Sequence, residues 1–392
     1  MGRARWDVVV VGAGPAGCHA AWELGRRGWH VLVVDRAVFP RWKPCAGGIT
    51  VKAAPYVPAA LRTYFEREMT EAIISYGTTL VTHVRSSRPV GWMVHRETFD
   101  AAHLDLVRTL ERVDVMEGCT VRGVTETVKE VIVDTSCGEV VGRALVGADG
   151  VESRLRKTMF PDQEREVAAT YEMEAQTAHR DDGPAAALFD LEAFPGGYGW
   201  AFPKRTTCSI GGYVEPGSGA GQRARDRLDR FVSRWPWIHA CAPVRTRGYR
   251  IPVGGSCLRL NTHLAVLAGD AADTVDPVTG EGISYAFMTG HLAATAIDAM
   301  LRQGRSLDGY SSQVWWKIHA PFMLARRLSN LLFQHPQSAM RYLFRNRQIC
   351  GWFVKVIRGE MGYAGLLART AALAPVLAPA HRLGPEVTFH VP

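Results

Sequence analysis

The chain has 392 residues, of which 47% are hydrophobic and 21% are charged, a composition typical of a folded protein with two or three structural units. No apolar run reaches the roughly 18 residues that cross a bilayer, and the first apolar strand follows almost at once, so we expect a cytoplasmic protein without a signal peptide. The net charge is +8, and residues 301–392 contain twelve Lys and Arg against three Asp and Glu, so this segment accounts for the basic excess.

A strand, a helix and a second strand are predicted within residues 6–36. An apolar run is followed by glycines in G-x-G-x-x-G spacing, and a helical pattern then leads to a second apolar run that ends at Asp35. The glycines permit a tight turn, close approach of a pyrophosphate, and packing of the helix on the strand. The helix N-terminus attracts phosphates, and Asp35 is placed to bind a ribose hydroxyl. The residues of this predicted dinucleotide site are Gly12, Gly14, Ala16, Gly17, Asp35 and Arg36.

Later segments change between strand and helix patterns. Residues 72–95 alternate apolar and polar side chains, residues 168–214 are rich in strand-forming segments, and residues 112–147 are typical of a small β-meander. We therefore predict an α/β fold in which a β-sheet substrate domain is inserted into a Rossmann-like dinucleotide-binding domain. The predicted domains are residues 1–71, 96–160 and 261–300 for dinucleotide binding, residues 72–95 and 161–260 for the sheet, and residues 301–392 for a basic helical C-terminal segment.

Two further segments contain paired Gly and Asp, which alone would more often form an ordinary turn. They lie at residues 147–150 and 268–272. With the first unit, they occur in the order found in flavoproteins of the para-hydroxybenzoate hydroxylase fold, which the chain resembles over residues 1–300. This resemblance implies that the cofactor is FAD, that Asp270 binds its ribityl and pyrophosphate groups, and that Asp149 mainly supports the fold. The cofactor-binding residues implied are Arg96, Asp149, Gly269, Asp270, Gly280, Gly282 and Ile283.

Three short segments resemble the geranylgeranyl reductase family. They are the loop 43–49 (KPCAGGI), the motif Y-x-W-x-F-P within 195–204, and 280–283 (GEGI), although Ala46 stands where the family's loop has Gly. The resemblance implies an FAD-dependent reductase of carbon–carbon double bonds in an isoprenoid substrate, geranylgeranyl or another polyprenyl, with hydride from N5 of the reduced flavin. One alternative is a flavin-dependent monooxygenase or halogenase acting on a hydrophobic or aromatic substrate. Another is a flavoprotein that binds prenyl chains without turnover.

The Y-x-W-x-F-P motif provides the predicted substrate-binding residues, Tyr198, Trp200, Phe202 and Pro203. On a strand, the three aromatic side chains point to the same face, because side chains alternate with a period of two. They form either an apolar wall for an isoprenoid chain or an ordinary core stripe. The helix that begins after Gly282 is placed to direct its partial positive charge at the reduced flavin.

Cys45 is the predicted catalytic residue. None of the eight cysteines forms a C-x-x-C pair, and no cluster has the spacing of metal ligands, so we predict neither a redox pair nor a metal site. The family resemblance implies that Cys45 lies near both the flavin and the substrate double bond, where it donates a proton or positions a reactant. The alternative is a cysteine that only packs in its loop.

The sequence leaves several partners open. No second G-x-G-x-x-G follows a strand, so the external electron donor is either NAD(P)H, ferredoxin or a reductase. The basic segment 301–392 forms a solvated helical cap, contacts an anionic membrane surface as a peripheral protein, or binds a substrate diphosphate. No recognition motif accompanies this charge, so we expect no nucleic-acid partner.

Overall fold

The computed structural model describes residues 5–177, 186–214, 224–255, 259–373 and 384–392. The strands are β1 (Arg5–Val11), β2 (Val31–Val34), β3 (Gly48–Thr50), β4 (Arg67–Met69), β5 (Glu71–Tyr76), β6 (Leu80–Ser86), β7 (Gly91–Met93), β8 (Val113–Met116), β9 (Val121–Glu126), β10 (Val131–Thr135), β11 (Gly138–Gly147), β12 (Val167–Gln176), β13 (Ala186–Asp190), β14 (Gly197–Pro203), β15 (Thr207–Val214), β16 (Ala242–Pro252), β17 (Ala265–Leu267) and β18 (Glu386–Val391). The α-helices are α1 (Pro15–Arg26), α2 (Arg96–Arg108), α3 (Arg154–Met159), α4 (Ala224–Arg234), α5 (Pro236–His239), α6 (Ile283–Gln303), α7 (Asp308–Val314), α8 (Ala320–Gln334), α9 (Pro336–Ala339), α10 (Arg347–Ile357) and α11 (Tyr363–Leu373).

The first sheet is the core of the predicted dinucleotide-binding unit. Its strand order is β8-β2-β1-β11-β10-β9, and β17 pairs in parallel with the end of β11. Strands β8, β2, β1 and β11 are parallel, whereas β10 and β9 form an antiparallel meander. Residues 8–11 and 31–34 are buried because helices α1, α2 and α6 cover this part of the sheet. The predicted α/β, Rossmann-like fold is therefore confirmed.

The second sheet has the strand order β16-β12-β15-β14-β13-β5-β6-β18. One face packs its apolar side chains against α4 and α5. The opposite face carries the aromatic residues Tyr198, Trp200 and Tyr213, and helix α8 packs against part of it. The ring of Phe333 on α8 lies 6.0 Å from the ring of Tyr198 and 6.0 Å from that of Tyr213.

Strand β18 differs from the predicted helical character of residues 301–392. It pairs in parallel with β6 and so forms one edge of the second sheet. Residues 386–391 alternate between exposed and more buried positions and end at the buried Val391. This period of two, which is typical of an edge strand, was not recognised because the preceding segment has a helical pattern.

A small third sheet connects the two larger ones. Its order is β3-β7-β4, and β3 directly follows the loop that contains Cys45. The end of β7 leads into α2 at Arg96. A side chain at Gly91 would place its Cβ 2.5 Å from the Ile49 carbonyl oxygen, so glycine permits this close pairing. The Cys45 loop and the start of α2 are thereby held beside each other.

Within the described ranges, no helix combines the length and the apolar character that spanning a bilayer requires.

Candidate functional site

The three Gly-rich segments meet at the carboxyl edge of the first sheet. The backbone N–H of Ala148 donates to the carbonyl of Val11 at 2.8 Å, and that of Ala268 donates to the carbonyl of Gly147 at 2.8 Å. The backbone N–H of Gly269 donates to the Thr289 hydroxyl on α6 at 2.9 Å. Segments far apart in sequence thus form one surface, at the edge where ligands bind in open α/β sheets.

The glycines of the first turn have different surroundings. Gly12 has a φ of +102°, and a Cβ there would lie 2.2 Å from the Ala148 carbonyl oxygen. A Cβ at Gly17 would lie 1.8 Å from the Gly12 carbonyl oxygen. At Gly14, by contrast, a Cβ would have no heavy atom within 4 Å. The first two glycines are therefore required by the protein's own packing, whereas the Gly14 position faces open space.

The N-terminus of α1 adjoins this open space. Its N-cap, Gly14, provides no side-chain hydrogen bond, and the first turn contains no acidic residue. The first amide groups therefore remain available to an anion. Ala16 is buried in the same turn, and its Cβ would lie 2.9 Å from a Cβ at Gly269, so the first and third motifs are in close contact.

Asp35 and Asp149 both bind backbone groups of the protein. The Asp35 carboxylate accepts from the backbone N–H of Ala13 at 2.6 Å and of Ala37 at 2.8 Å, and so closes the Gly-rich turn. The Asp149 carboxylate accepts from the backbone N–H of Arg154 at 2.8 Å, at the start of α3. Burial raises the pKa of Asp149 above its usual range. A role of Asp35 toward a ribose stays a prediction, and the neighbouring Arg36 is exposed.

A cavity of about 230 Å³ lies between the carboxyl edge of the first sheet and the aromatic face of the second. It joins the flavin-facing and the substrate-facing parts of the predicted site. The predicted site residues that line it are Cys45, Arg96, Tyr198, Trp200, Phe202, Asp270, Gly280, Gly282 and Ile283. Pro203 is buried but does not line this cavity.

The aromatic wall is larger than the motif alone predicts. Phe189, Tyr213 and Tyr249 also line the cavity, from the neighbouring strands β13, β15 and β16. The ring of Phe189 lies 5.0 Å from that of Phe202, within the range of favourable aromatic pairs. These three residues were not predicted, because the strand order that places them beside Y-x-W-x-F-P is not visible in the sequence.

Two motif aromatics are fixed by their polar atoms. The Tyr198 hydroxyl donates to the carbonyl of Thr279 at 2.6 Å, which connects β14 to the Gly280–Gly282 loop. The Trp200 indole N–H donates to the Ser209 hydroxyl at 3.0 Å. Both side chains keep an apolar ring surface in the cavity while their polar groups are satisfied.

Arg96 places a permanent positive charge beside Cys45. Its guanidinium donates twice to the buried Asp100 carboxylate, at 2.8 and 2.7 Å, and the Cys45 side chain is close enough to raise its pKa. Burial alone would lower the pKa of Arg96, but the Asp100 charge outweighs burial and raises it. Arg41 is a second cation on Asp100, at 3.0 Å. One carboxylate thus pairs with two guanidinium groups, so these three side chains together carry one net positive charge.

Glu172 was missed by sequence reasoning. It lies on β12, is 4% exposed and lines the cavity. Its carboxyl group accepts from the Ser209 hydroxyl at 3.0 Å, and the backbone N–H of Cys45 faces it. Burial raises the pKa of Glu172 to about 7, and the nearby Lys204 offsets this only in part. The pair Glu172 and Glu174 in strand spacing was the available signal.

The sequence predicts no metal site, because no group of possible ligands has the spacing along the chain that is typical of metal sites. Within the described residues, the donor atoms of His19, Glu23 and His291 all lie within 4.8 Å of one another. Arg27 binds the Glu23 carboxylate at 2.6 Å, and burial holds the pKa of His19 well below its usual range. This group of residues lies on α1 and α6, does not line the cavity, and receives no assigned ion.

Comparison with known proteins gives three informative matches. Residues 7–73 match the family model described as FAD dependent oxidoreductase. The chain is 30% identical to digeranylgeranylglycerophospholipid reductase 1 of Methanopyrus kandleri, over 84% of this chain and 91% of that protein. It is 30% identical to geranylgeranyl diphosphate reductase of Rhodobacter capsulatus, over 78% of each chain.

A solved structure agrees with the fold. A geranylgeranyl bacteriochlorophyll reductase-like protein from Thermoplasma acidophilum superposes with a TM-score of 0.79 and 20% sequence identity. The match covers 95% of this chain and 96% of the other. The arrangement of both large sheets is therefore shared over almost the whole length.

Proposed function

Because the chain belongs to the geranylgeranyl reductase family of FAD-dependent oxidoreductases, we propose that it reduces carbon–carbon double bonds in an isoprenoid chain, geranylgeranyl or another polyprenyl. The observation that carries the proposal is the single cavity lined both by Asp270, Gly280 and Gly282 and by the aromatic residues of β14. A cofactor and an apolar substrate bound to these two sides would meet inside the same cavity.

The chain's own groups agree with FAD as the cofactor. The open position at Gly14 and the uncapped amides of α1 accept a pyrophosphate without a clash. Asp270 and the start of α6 line the cavity beyond them. Bound and reduced, FAD supplies a hydride. The positive charge at Arg96 and the partial positive charge at the N-terminus of α6 would stabilise negative charge on the reduced flavin ring.

The aromatic wall supports an isoprenoid substrate. The wall presents uncharged aromatic rings to the cavity, from Phe189, Tyr198, Trp200 and Phe202. Its two polar groups, the Tyr198 hydroxyl and the Trp200 indole N–H, are already hydrogen-bonded within the protein. Burying one five-carbon prenyl unit contributes about 3–4 kcal/mol at about 0.8 kcal/mol per carbon. Cys45 lines the same cavity, which supports its predicted role as proton donor or positioning group. We propose the same roles as in the sequence analysis for the remaining predicted site residues.

Product mass distinguishes the proposed reductase from a monooxygenase. Dithionite-reduced holoenzyme mixed with geranylgeranyl diphosphate without oxygen should give a product that is heavier by two hydrogens for each reduced bond. The reason is that hydride and proton add across the bond and no oxygen atom enters. Mass spectrometry of the extracted product tests this. An oxygenated product that forms only in air would favour the monooxygenase or halogenase instead.

We also propose that the C-terminal helices contact an anionic membrane surface, where a lipid substrate would be found. Trp316, Met323 and Leu331 are 73%, 46% and 52% exposed, and the basic residues Lys317 and Arg327 are exposed nearby. Exposed apolar side chains among cations are typical of a surface that binds at the lipid interface.

Vesicle sedimentation tests this contact. Wild-type protein should sediment with phosphatidylglycerol vesicles, less with phosphatidylcholine vesicles, and less at high salt, because exposed charges are screened. Replacing Trp316 and Met323 by Ser should weaken sedimentation. Val128→Ser is the matched control, since Val128 is 81% exposed on the distant β9–β10 turn. If equal amounts of protein sediment with both lipids at both salt concentrations, the helices do not bind an anionic surface and only cap the fold.

A further inference from the structure

The proposed reduction adds one hydride and one proton across a double bond, so the cavity needs a group that holds a transferable proton. Arg96 cannot serve, because guanidinium stays protonated in proteins. Most carboxyl groups that line the cavity form an ion pair with a Lys or Arg side chain. These pairs are Glu71 with Arg85 (3.1 Å), Asp270 with Lys43 (3.7 Å) and Glu281 with Lys52 (2.6 Å).

Glu172 differs from these three carboxyl groups. Among the described residues it has no cation within the 4.0 Å of an ion pair. The nearest buried ammonium, Lys204, lies 3.6 Å from Glu174 instead, and His95 lies 2.7 Å from the same Glu174 oxygen. One cation is thus committed to the neighbouring carboxylate, and Glu172 is left with neutral hydrogen-bond donors.

The register of the second sheet places Glu172 beside the aromatic wall. Gly211 on β15 pairs with Glu172 on one side and with Trp200 on the other. A Cβ at Gly211 would lie 2.4 Å from the Trp200 ring, so this ring covers the glycine. Glu172 and Trp200 are therefore neighbours on the cavity face of the sheet, across a position without a side chain.

Two polar groups face the carboxyl group of Glu172. The Ser209 hydroxyl accepts from the Trp200 indole and therefore directs its own hydrogen at Glu172, at 3.0 Å. The backbone N–H of Cys45 faces the same carboxyl group and lowers its pKa. The acid is thus joined both to the substrate-side motif and to the loop beside Arg96.

The two carboxyl groups of β12 also differ in their pKa. Burial raises the pKa of Glu172 to about 7. Burial acts in the same direction on Glu174, but its hydrogen bond with His95 and the charge of Lys204 outweigh burial and lower its pKa to about 2. Near neutral pH, Glu174 is ionised while Glu172 both holds a proton and can take one back.

We propose that Glu172 is the acid of the reaction, which donates its carboxyl proton to one carbon of the double bond while the other carbon receives the hydride. The π bond breaks, two C–H bonds form, and the substrate gains two electrons from the reduced flavin. Glu172 is left as a carboxylate and regains a proton from water. This inference rests on the proposed function, and Cys45 then acts as a positioning residue through its backbone N–H.

The test measures how fast geranylgeranyl diphosphate oxidises dithionite-reduced holoenzyme in a single turnover without oxygen. For the wild type, the rate should fall as pH rises through about 7, because the protonated acid is then lost. Glu172→Gln keeps the size and the hydrogen-bond acceptor but has no acidic proton, so the rate should fall about 100-fold or more and the pH dependence should disappear. Glu172→Asp, which keeps an acidic proton, should restore part of the rate and part of its pH dependence.

Matched measurements separate this role from a structural one. Oxidation of the reduced variant by ferricyanide, which requires no protonation of carbon, should stay at the wild-type rate. Glu71→Gln, which changes a cavity carboxyl group paired with Arg85, should retain the wild-type pH profile. A wild-type rate in Glu172→Gln would overturn the assignment. So would a wild-type rate that does not change between pH 6 and 8, which can be measured without any variant. If no polyprenyl substrate oxidises the wild type, the proposed function itself fails.

Discussion

Gly14→Val is expected to abolish FAD binding while the protein still folds. A Cβ at this position has no protein atom within 4 Å, and the backbone is extended, with φ −78° and ψ −178°. Valine therefore causes no internal clash, but its side chain fills the space through which a pyrophosphate approaches the amides of α1. We expect FAD to bind at least about 100-fold more weakly, which corresponds to about 2.7 kcal/mol.

Flavin fluorescence titration measures this loss, and circular dichroism with thermal unfolding shows whether the variant is folded. Gly123→Val is the matched control, because a Cβ at Gly123 on β9 also has no heavy atom within 4 Å, far from the predicted site. It should bind FAD as the wild type does. A folded Gly14→Val protein with one FAD per chain would contradict the position of the pyrophosphate.

Arg96→Met should cause the largest loss of stability among the predicted site residues. It removes both guanidinium bonds to Asp100 and leaves a buried carboxylate with Arg41 as its remaining ion-pair partner within the described residues. Breaking a buried pair from one side costs about 3–5 kcal/mol, and we expect the lower part of this range because Arg41 stays.

Urea unfolding of the apoprotein gives the free energy of unfolding for this comparison. Arg108→Met, at the other end of α2, is the control, because its pairs with Asp105 and Glu117 are partly exposed and are each worth about 0–1 kcal/mol. Adding Asp100→Asn to Arg96→Met should recover part of the loss, since the unpaired charge is then removed. Equal losses in Arg96→Met and Arg108→Met would show that the buried pair does not stabilise this region.

Local constraints made much of the first sheet and its turns predictable. Gly12 and Gly17 are required by contacts with residues close in sequence or at the end of the adjoining strand. The spacing of these glycines is therefore enough to predict the turn from the sequence. The same holds for Tyr198, Trp200 and Phe202, whose common face follows from the period of a single strand.

Contacts between distant segments were not predictable in this way. Glu172 becomes a candidate only when β12 lies beside β15 and the Cys45 loop, and the group of His19, Glu23 and His291 requires α1 and α6 to be adjacent. Pairing of β18 with β6 likewise depends on a register that no short pattern encodes. Asp35 was assigned to a ribose from its position, whereas its backbone bonds to the Gly-rich turn require knowledge of the fold.

The position of β18 affects how the protein is completed during synthesis. Strand β6 is translated early, but its parallel partner β18 is the last strand in chain order among the described residues. On the ribosome, the first sheet is able to assemble once β17 has emerged, while β6 still presents an unpaired edge. That edge is exposed to other nascent chains until residues 386–391 leave the exit tunnel. The charged side chain of Arg85 on β6, which is paired with Glu71 on β5, opposes pairing of this edge with such chains.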